Sequence, residues 1–342
     1  MAMAMAMAAS TTNVVRNPKT LFLIWSLCII FFFSLLQMAI KNSATSSTSS
    51  DSHIAYNEQR SRLYDKMARD LDEKGAAFLK HGETSQSLSL SDIFTLKEDG
   101  SVTPVLKAAD PPVRANVLYL SPEYSLPISD AVKHVFAPYF NKAIWFQNST
   151  VYHFSMVHAS HHITPVPATE SQIEAEAAAV KTAVRSFCPL KIVLDRVVLT
   201  STGVLLGCWQ VSDGTDPVTI RAKLRSVLPH APEQQLSCML HCSMTLLFFI
   251  RHLQDSLATL LFQTSLQRFF DKTPFFQNIE KIPDDAMQLF HELVAKLNNK
   301  LHGSQAVVSE LWYVEEYDVL ALALDGRMKV RRFQLGCKST GK

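Results

Sequence analysis

Two short stretches of the sequence each place an imidazole and a hydroxyl where they could work together. The first is VYHFSM, which contains His153 and Ser155, and the second is LHCSMT, which contains His241 and Ser243. If each stretch forms a β-strand, residues two apart lie on the same face of the sheet. Each histidine then shares a face with the hydroxyl that follows it, and the intervening apolar residues can pack on a core.

These residue types suit the cleavage of a phosphodiester. In-line attack on phosphorus needs one group that takes a proton from the nucleophile and another that gives a proton to the leaving oxygen. Histidine can do either near neutral pH, and a hydroxyl can donate a hydrogen bond to a phosphate oxygen. We therefore predict that His153 and His241 are catalytic and that Ser155 and Ser243 bind the phosphate. This chemistry needs no metal and no cofactor.

The tripeptide alone is a weak signal, so its surroundings must be considered. Histidine followed two residues later by serine or threonine also occurs at His158, His162 and His302. His302 is predicted at a helix end, and the segment HASHHITPVP is predicted to be a loop because two prolines close it. His153 and His241 are the two that we predict within alternating strands. A purely structural role for both histidines remains the alternative.

The same predicted loop holds three histidines, His158, His161 and His162, which could suggest a zinc site. A catalytic zinc site needs three ligands on ordered elements, and the sequence contains no H-E-x-x-H motif. We therefore expect a solvated loop here and no metal site.

The elements around the two stretches alternate between strands and helices. A strand at 115–120 and a helix at 128–140 precede the first stretch. The predicted elements that follow are a helix at 169–187 with a Thr169–Gln172 capping box, a hairpin at 190–211 that turns at Ser201-Thr202-Gly203, a helix from Pro217 to Val227 capped by Asp216, a strand at 238–248, a helix at 283–302 and the terminal strands AVVSELWYV, DVLALAL and MKVRRFQL. This order predicts an α+β body with two comparable halves.

The paired stretches HFSM and HCSM, 88 residues apart in such a body, resemble the signature of the two-histidine (2H) phosphoesterase superfamily. The sequence looks similar to plant proteins described as RNA ligase/cyclic nucleotide phosphodiesterase-like. The resemblance covers about residues 91–337. It implies a bilobal fold in which two antiparallel-sheet lobes flank a central cleft. It also implies activity on 2′,3′-cyclic nucleotides or RNA-end phosphodiesters, with the two histidines as general acid and base in an order left open.

One long segment departs from that family pattern. About 35 residues, 251–285, separate the second motif strand from the next clear helix, and the family usually reaches that helix sooner. The segment is either an insertion that covers the cleft or translated non-coding sequence. In addition, Cys242 occupies a position at which this family seldom has cysteine.

The N-terminal region predicts attachment to a membrane. Residues 21–40 are nearly all apolar and carry no charge, and a helix of this length can span a bilayer. Basic residues precede this span, so the positive-inside rule places residues 1–20 in the cytosol as a tail and the body in a lumen. We predict a type II signal anchor in the Golgi or endoplasmic reticulum. Residues 41–90 are predicted to form a linker and stem, and residues 91–337 the catalytic domain.

Two further features bear on a lumenal location. Asn148 begins the tripeptide Asn-Ser-Thr, an N-glycosylation sequon that is meaningful only in a lumenal segment. Five cysteines lie outside the predicted span, which allows one disulfide but does not choose its pairing.

Charge and motif content argue against two other classes. A net charge of +2 gives no support for binding duplex DNA. A signal anchor followed by a stem also fits a Golgi glycosyltransferase. Such enzymes commonly carry a metal-binding D-x-D motif after an apolar strand, whereas the D-x-D motif here, Asp70-Leu71-Asp72, lies in the predicted stem helix. The expected partners are a nucleotide or RNA-terminal phosphodiester and the membrane. The alternative is an inactive 2H-like binding module, and the natural substrate and the oligomeric state stay open.

Overall fold

The computed structural model describes residues 49–75, 88, 90–97, 101–140, 144–233, 243–249 and 284–337. Contacts divide the chain into two units, Met1–Ser52 and His53–Lys342. The predicted span at 21–40 and the segment at 251–283 lie outside the described residues. Among the helices described, none is both long and apolar enough to cross a membrane.

The described chain alternates helices and strands. The helices are α1 (Ser49–Lys74), α2 (Leu90–Ile93), α3 (Pro122–Phe140), α4 (Glu170–Val184), α5 (Pro217–Val227), α6 (Asp284–Leu301) and α7 (Ala321–Leu324), with a 3-10 turn at Ser149–Val151. The strands are β1 (Phe94–Leu96), β2 (Val102–Pro104), β3 (Ala108–Tyr119), β4 (Ile144–Phe146), β5 (His153–Ser160), β6 (Leu190–Leu199), β7 (Val204–Asp213), β8 (Ser243–Phe249), β9 (Gln305–Val308), β10 (Glu310–Asp318) and β11 (Met328–Gln334).

The strands form two larger antiparallel sheets and one hairpin. One sheet has four strands in the order β11-β10-β3-β5, and the other has five in the order β4-β8-β7-β6-β9. The small hairpin pairs β1 with β2. The α+β class with antiparallel sheets is therefore confirmed, and the two motif strands, β5 and β8, belong to different sheets.

The main apolar core joins these sheets to the helices. Phe154 of β5 and Trp209 of β7 meet edge to face with their ring centroids 6.1 Å apart, and both are buried. Phe140 of α3 contacts Phe290 of α6 at 5.7 Å. Aromatic pairs of this kind bury large apolar areas, so they fix the sheets against the helices that cover them.

Local signals set several helix ends as predicted. Thr169 and Gln172 form the capping box at the start of α4, and the Asp216 side chain accepts a hydrogen bond from the Val218 N–H at the start of α5. Helix α3 begins earlier than predicted, at Pro122 rather than after Pro127, since proline is favoured in the first turn.

The prediction of a strand at the terminal segment DVLALAL is wrong for most of its length. Residues 321–324 of the segment form the short helix α7. Leu320 and Asp325 flank this helix in left-handed backbone conformations, with φ of 60° and 59°. A turn that begins at Asp325 then connects α7 to β11.

Helix α1 packs against the five-stranded sheet, although residues 41–90 are predicted to be a linker and stem. Arg60 is fully buried and its Nη1 lies 2.9 Å from Asp216 Oδ2. The Tyr64 hydroxyl donates to the Trp209 carbonyl at 2.8 Å. A buried charge that is paired in this way holds the helix in place, so the part of α1 from His53 onward packs on the five-stranded sheet.

The D-x-D motif lies on this helix, as predicted. Asp70 accepts hydrogen bonds from the backbone N–H and the hydroxyl of Ser201, at 2.9 and 2.6 Å, and pairs with Lys74. Asp72 lies 3.0 Å from His291. Both carboxylates therefore serve the packing of α1 on the body.

A disulfide joins Cys188 to Cys337 across 149 residues of sequence. The bond ties the segment between α4 and β6 to the chain that follows β11. Cys208 is buried and outside any disulfide. The structure thus supplies the pairing that the sequence left open.

Candidate active site

His153 begins strand β5 and is half-buried. Its Nδ1 lies 2.8 Å from the Val151 carbonyl oxygen, which can only accept, so Nδ1 carries the proton. The other ring nitrogen, Nε2, is then left as an acceptor. Burial lowers the pKa of His153, while the bond to the Val151 carbonyl opposes that shift. At neutral pH the side chain is therefore a neutral imidazole able to take a proton.

Ser155 lies two residues along the same strand, on the same face, and is exposed. Its backbone is fixed by Arg221 of α5, which is 3% exposed. Arg221 Nη2 donates to the Ser155 carbonyl at 2.8 Å and Nε donates to the Met156 carbonyl at 3.3 Å. The arginine clamps the backbone next to the candidate site, and no pattern in the sequence identifies this role.

His158 lies in strand β5, although the sequence predicts a loop at this position. The pairing of β3 with β5 shifts between Ser155 and Val157, so that Ala115 lies opposite His158 and Val117 lies opposite Ser155. A bulge of one residue at Met156 therefore moves His158 onto the face that His153 and Ser155 share. Alternation counted along the sequence cannot reveal this face, because the bulge breaks it.

The histidines after His153 form a cluster. The rings of His158 and His161 lie 4.9 Å apart, and those of His161 and His162 lie 4.3 Å apart. Burial and the neighbouring histidines lower the pKa of His158 to about 3 and that of His161 to about 4. Within the described ranges, no group of three or more His, Cys, Asp or Glu side chains is arranged to hold a metal ion.

These residues line a cavity of about 180 Å³ that receives side chains from both larger sheets. The polar residues around it include His153, Ser155, His158, His161, His162, Gln147, Glu316, Thr200 and Thr202. Its aliphatic walls are Val113, Ala115, Val117, Val204, Leu206, Leu320, Leu322 and Ala323. Such a cavity, with apolar walls and a few polar groups, is typical of a small-molecule site.

Two of the polar residues were missed by the sequence analysis. Gln147 follows β4 and is 2% exposed, and Glu316 lies in β10 and is 5% exposed. Burial raises the pKa of Glu316 to about 7, although hydrogen bonds from backbone N–H groups oppose this shift. Neither residue belongs to a recognisable motif, since long-range packing brings both to the cavity.

The second motif is described only in part. His241 lies outside the described residues, and Ser243 is the first residue of β8. The register pairs Ser243 with Cys208 and Thr245 with Leu206. Ser243 therefore occupies a position on the sheet face that carries Leu206, a residue of the cavity wall. The predicted roles of His241 and Ser243 stay predictions.

Asn148, the predicted glycosylation residue, is half-buried at the start of the 3-10 turn. Its Oδ1 accepts from the N–H and the hydroxyl of Thr150, at 3.0 and 2.8 Å. Its Nδ2 donates to Asp325 Oδ1 at 3.2 Å. The side-chain amide thus links the 3-10 turn to the turn that follows α7.

No protein-family model and no curated protein matches the chain. Among solved structures, the chain is similar to E. coli LigT complexed with phosphate at 12% identity, covering 68% of this chain and 98% of LigT with a TM-score of 0.33. Its similarity to the apo form of E. coli LigT is 13% identity, with 66% and 98% coverage and a TM-score of 0.34. Likenesses this distant assign neither a family nor an activity.

Proposed function

We propose that the chain is a phosphodiesterase that hydrolyses 2′,3′-cyclic nucleotides or RNA-end phosphodiesters by two-histidine acid/base catalysis, on a bilobal 2H-type fold. The observation that carries the proposal is the pair of His153 and Ser155 on one strand face beside a cavity. The imidazole is neutral and held in one tautomer, and the hydroxyl next to it is exposed. Such a pair can take a proton and hold a phosphate oxygen without a metal.

In the proposed reaction, water attacks phosphorus while its proton passes to His153 Nε2. The bond from phosphorus to the 2′- or 3′-oxygen breaks, and His241 gives a proton to that oxygen. The products are a phosphomonoester and a free hydroxyl, and the two histidines exchange protons with water before the next turnover. Ser155 and Ser243 donate hydrogen bonds to the non-bridging oxygens, where negative charge builds up in the transition state.

The direct test is an assay of the purified full chain with the four nucleoside 2′,3′-cyclic monophosphates, with and without EDTA. We expect hydrolysis to a nucleoside 2′- or 3′-monophosphate that EDTA leaves unchanged. Activity that EDTA abolishes and that zinc restores would replace this mechanism with a metal-dependent one. No hydrolysis of any of the four, or of an RNA ending in a 2′,3′-cyclic phosphate, would contradict the proposal.

We further propose that residues 21–40 anchor the protein in the Golgi or endoplasmic reticulum membrane, with the body in the lumen. The Cys188–Cys337 disulfide supports this location, because disulfides persist in oxidising compartments. Glycosidase treatment should then reduce the mass of the wild type but not that of an Asn148→Gln variant. Digestion of the body by protease added outside sealed microsomes would contradict a lumenal location.

A further inference from the structure

One residue of the cavity lining has a buried side-chain polar atom with no hydrogen-bond partner in the described part of the protein. Four buried side-chain polar atoms lack a hydrogen-bond partner among the described residues, and they belong to Asn116, Ser125, Gln147 and Trp209. Of these four residues, Gln147 lines the cavity. Its Nε2 donates to the Leu322 carbonyl at 3.3 Å, which orients the amide and makes Oε1 the unpaired acceptor. A buried acceptor costs stability unless a ligand or solvent supplies a donor.

Leu322, which accepts the hydrogen bond from Gln147, also binds Glu316. Glu316 Oε1 accepts a hydrogen bond from the Leu322 N–H at 3.4 Å, so the amide of Gln147 and this carboxyl are both anchored on Leu322. The neighbouring acids Glu315 and Asp318 each pair with an arginine, whereas within the described part of the chain Glu316 has no cationic partner. Burial favours its protonated form, which has an O–H to donate.

Much of the remaining cavity lining is aliphatic. Val113 and Ala115 line the cavity from the four-stranded sheet, Val204 and Leu206 line it from the five-stranded sheet, and Leu320 lines it beside α7. Aliphatic walls with one acceptor and one donor anchored on the same residue suit a planar heterocycle better than a sugar. A sugar presents hydroxyls in several directions, and most of them would lose their hydrogen bonds here.

We propose that Gln147 and Glu316 recognise the nucleobase of the substrate. Gln147 Oε1 accepts a hydrogen bond from an N–H of the base, and the Glu316 carboxyl donates to the adjacent ring nitrogen or carbonyl oxygen. The ligand class is a nucleoside phosphate whose base presents such an amidine or amide edge. The assignment rests on the proposed function in one respect, namely that the phosphate lies at His153 and Ser155. Both residues set specificity, and neither contacts the reacting phosphorus.

Calorimetric binding to the full chain tests this role without requiring turnover. The probes are adenosine 2′-monophosphate, cytidine 2′-monophosphate and methyl riboside 2-phosphate, which lacks the base. Gln147→Met keeps the side-chain length but removes the acceptor. We expect this variant to bind both nucleotides about 10-fold more weakly, as for the loss of one buried hydrogen bond, and to bind the base-free phosphate as the wild type does. Glu316→Leu should show the same selective loss.

The matched control is Asn116→Leu, which removes another buried amide with an unpaired oxygen, but one outside the cavity lining. It should change the melting temperature and leave all three dissociation constants unaltered. The inference is overturned if Gln147→Met weakens the base-free phosphate as much as the nucleotides, or if it weakens neither. It is also overturned if the wild type binds nucleotides no more tightly than the base-free phosphate. Absent hydrolysis of cyclic substrates would contradict the proposed function, but this binding result would still be decisive.

Discussion

The two larger sheets contribute different side chains to the cavity. Among the described side chains, the four-stranded sheet forms a first wall in which His153, Ser155 and Glu316 accompany aliphatic residues, whereas strand β7 of the five-stranded sheet forms a second wall of the aliphatic Val204 and Leu206. In the part of the site that is described, the groups that we propose for proton transfer and phosphate binding therefore lie on the first wall. The second wall supplies apolar surface to the cavity lining.

The two walls also differ in how their backbone is held in place. The first wall is fixed by groups that hold backbone rather than substrate, since Arg221 binds the carbonyls of Ser155 and Met156. Its bulge also brings His158 to the same face as His153. The aliphatic wall needs only regular alternation along β7. Variants on the two walls should accordingly have effects of different kinds.

Apart from the two catalytic candidates His153 and His241, the largest expected effect is on the pH dependence of stability, through Glu316 on the first wall. A carboxyl whose pKa is raised from 4.5 to about 7 contributes stability that is fully present below pH 4.5 and lost as pH rises through about 7. Glu316→Gln removes this dependence. Its free energy of unfolding should therefore gain about 3 kcal/mol relative to wild type between pH 4.5 and 8. Urea denaturation across this pH range measures the difference.

Glu315 provides the control for that prediction, because it is adjacent in the strand, buried and paired with Arg331. Glu315→Gln removes the buried one of the two acidic partners of Arg331, the other being the exposed Glu174, and should lower stability instead of raising it at high pH. A difference between wild type and Glu316→Gln that stays constant from pH 4.5 to 8 would show that Glu316 does not titrate in this range.

The next largest effect concerns the proposed phosphate-binding residue of the first wall, Ser155. Ser155→Ala removes one donor to the phosphate oxygens and should lower kcat/KM for a 2′,3′-cyclic nucleotide by about 30-fold. Since Ser155 is exposed, the melting temperature should stay within about 1 °C of wild type. Steady-state kinetics and a thermal melt check both parts. An unchanged kcat/KM would remove Ser155 from the site.

The smallest effect on activity is expected on the aliphatic wall. Val204→Ala removes two methyl groups from a residue that is 8% exposed and should lower the free energy of unfolding by about 1 kcal/mol. The kcat value should change by less than about threefold, because the valine side chain can neither transfer a proton nor form a hydrogen bond. A loss of kcat as large as that of Ser155→Ala would abolish the contrast between the walls.

The sequence predicts what local chemistry and regular alternation determine. The capping box at Thr169 and the proline that starts α5 are local signals, and both are present. The common face of His153 and Ser155 follows from strand alternation over two residues. For the same reason the candidate pair of His153 and Ser155 could be proposed without a structure.

What the sequence could not predict depends on contacts between distant residues. His158 reaches the site face through a bulge, which no residue type marks. Gln147 and Glu316 meet at Leu322 although 169 positions separate them in the chain. Helix α1 reads as a charged stem, yet the buried Arg60 pairs with Asp216, 156 residues away. Charge on a helix predicts exposure only when no distant partner neutralises it.

The central claim is that His153 and His241 act together on one phosphodiester. The most direct measurement is the kcat of His153→Ala, of His241→Ala and of the double variant on a nucleoside 2′,3′-cyclic monophosphate, with His134→Ala, an exposed histidine of α3, as the control. We predict that each single variant loses about 10³-fold or more in kcat and that the double variant loses little more than either, since residues that act as a unit are not additive. Turnover at the wild-type rate in either single variant would contradict the account.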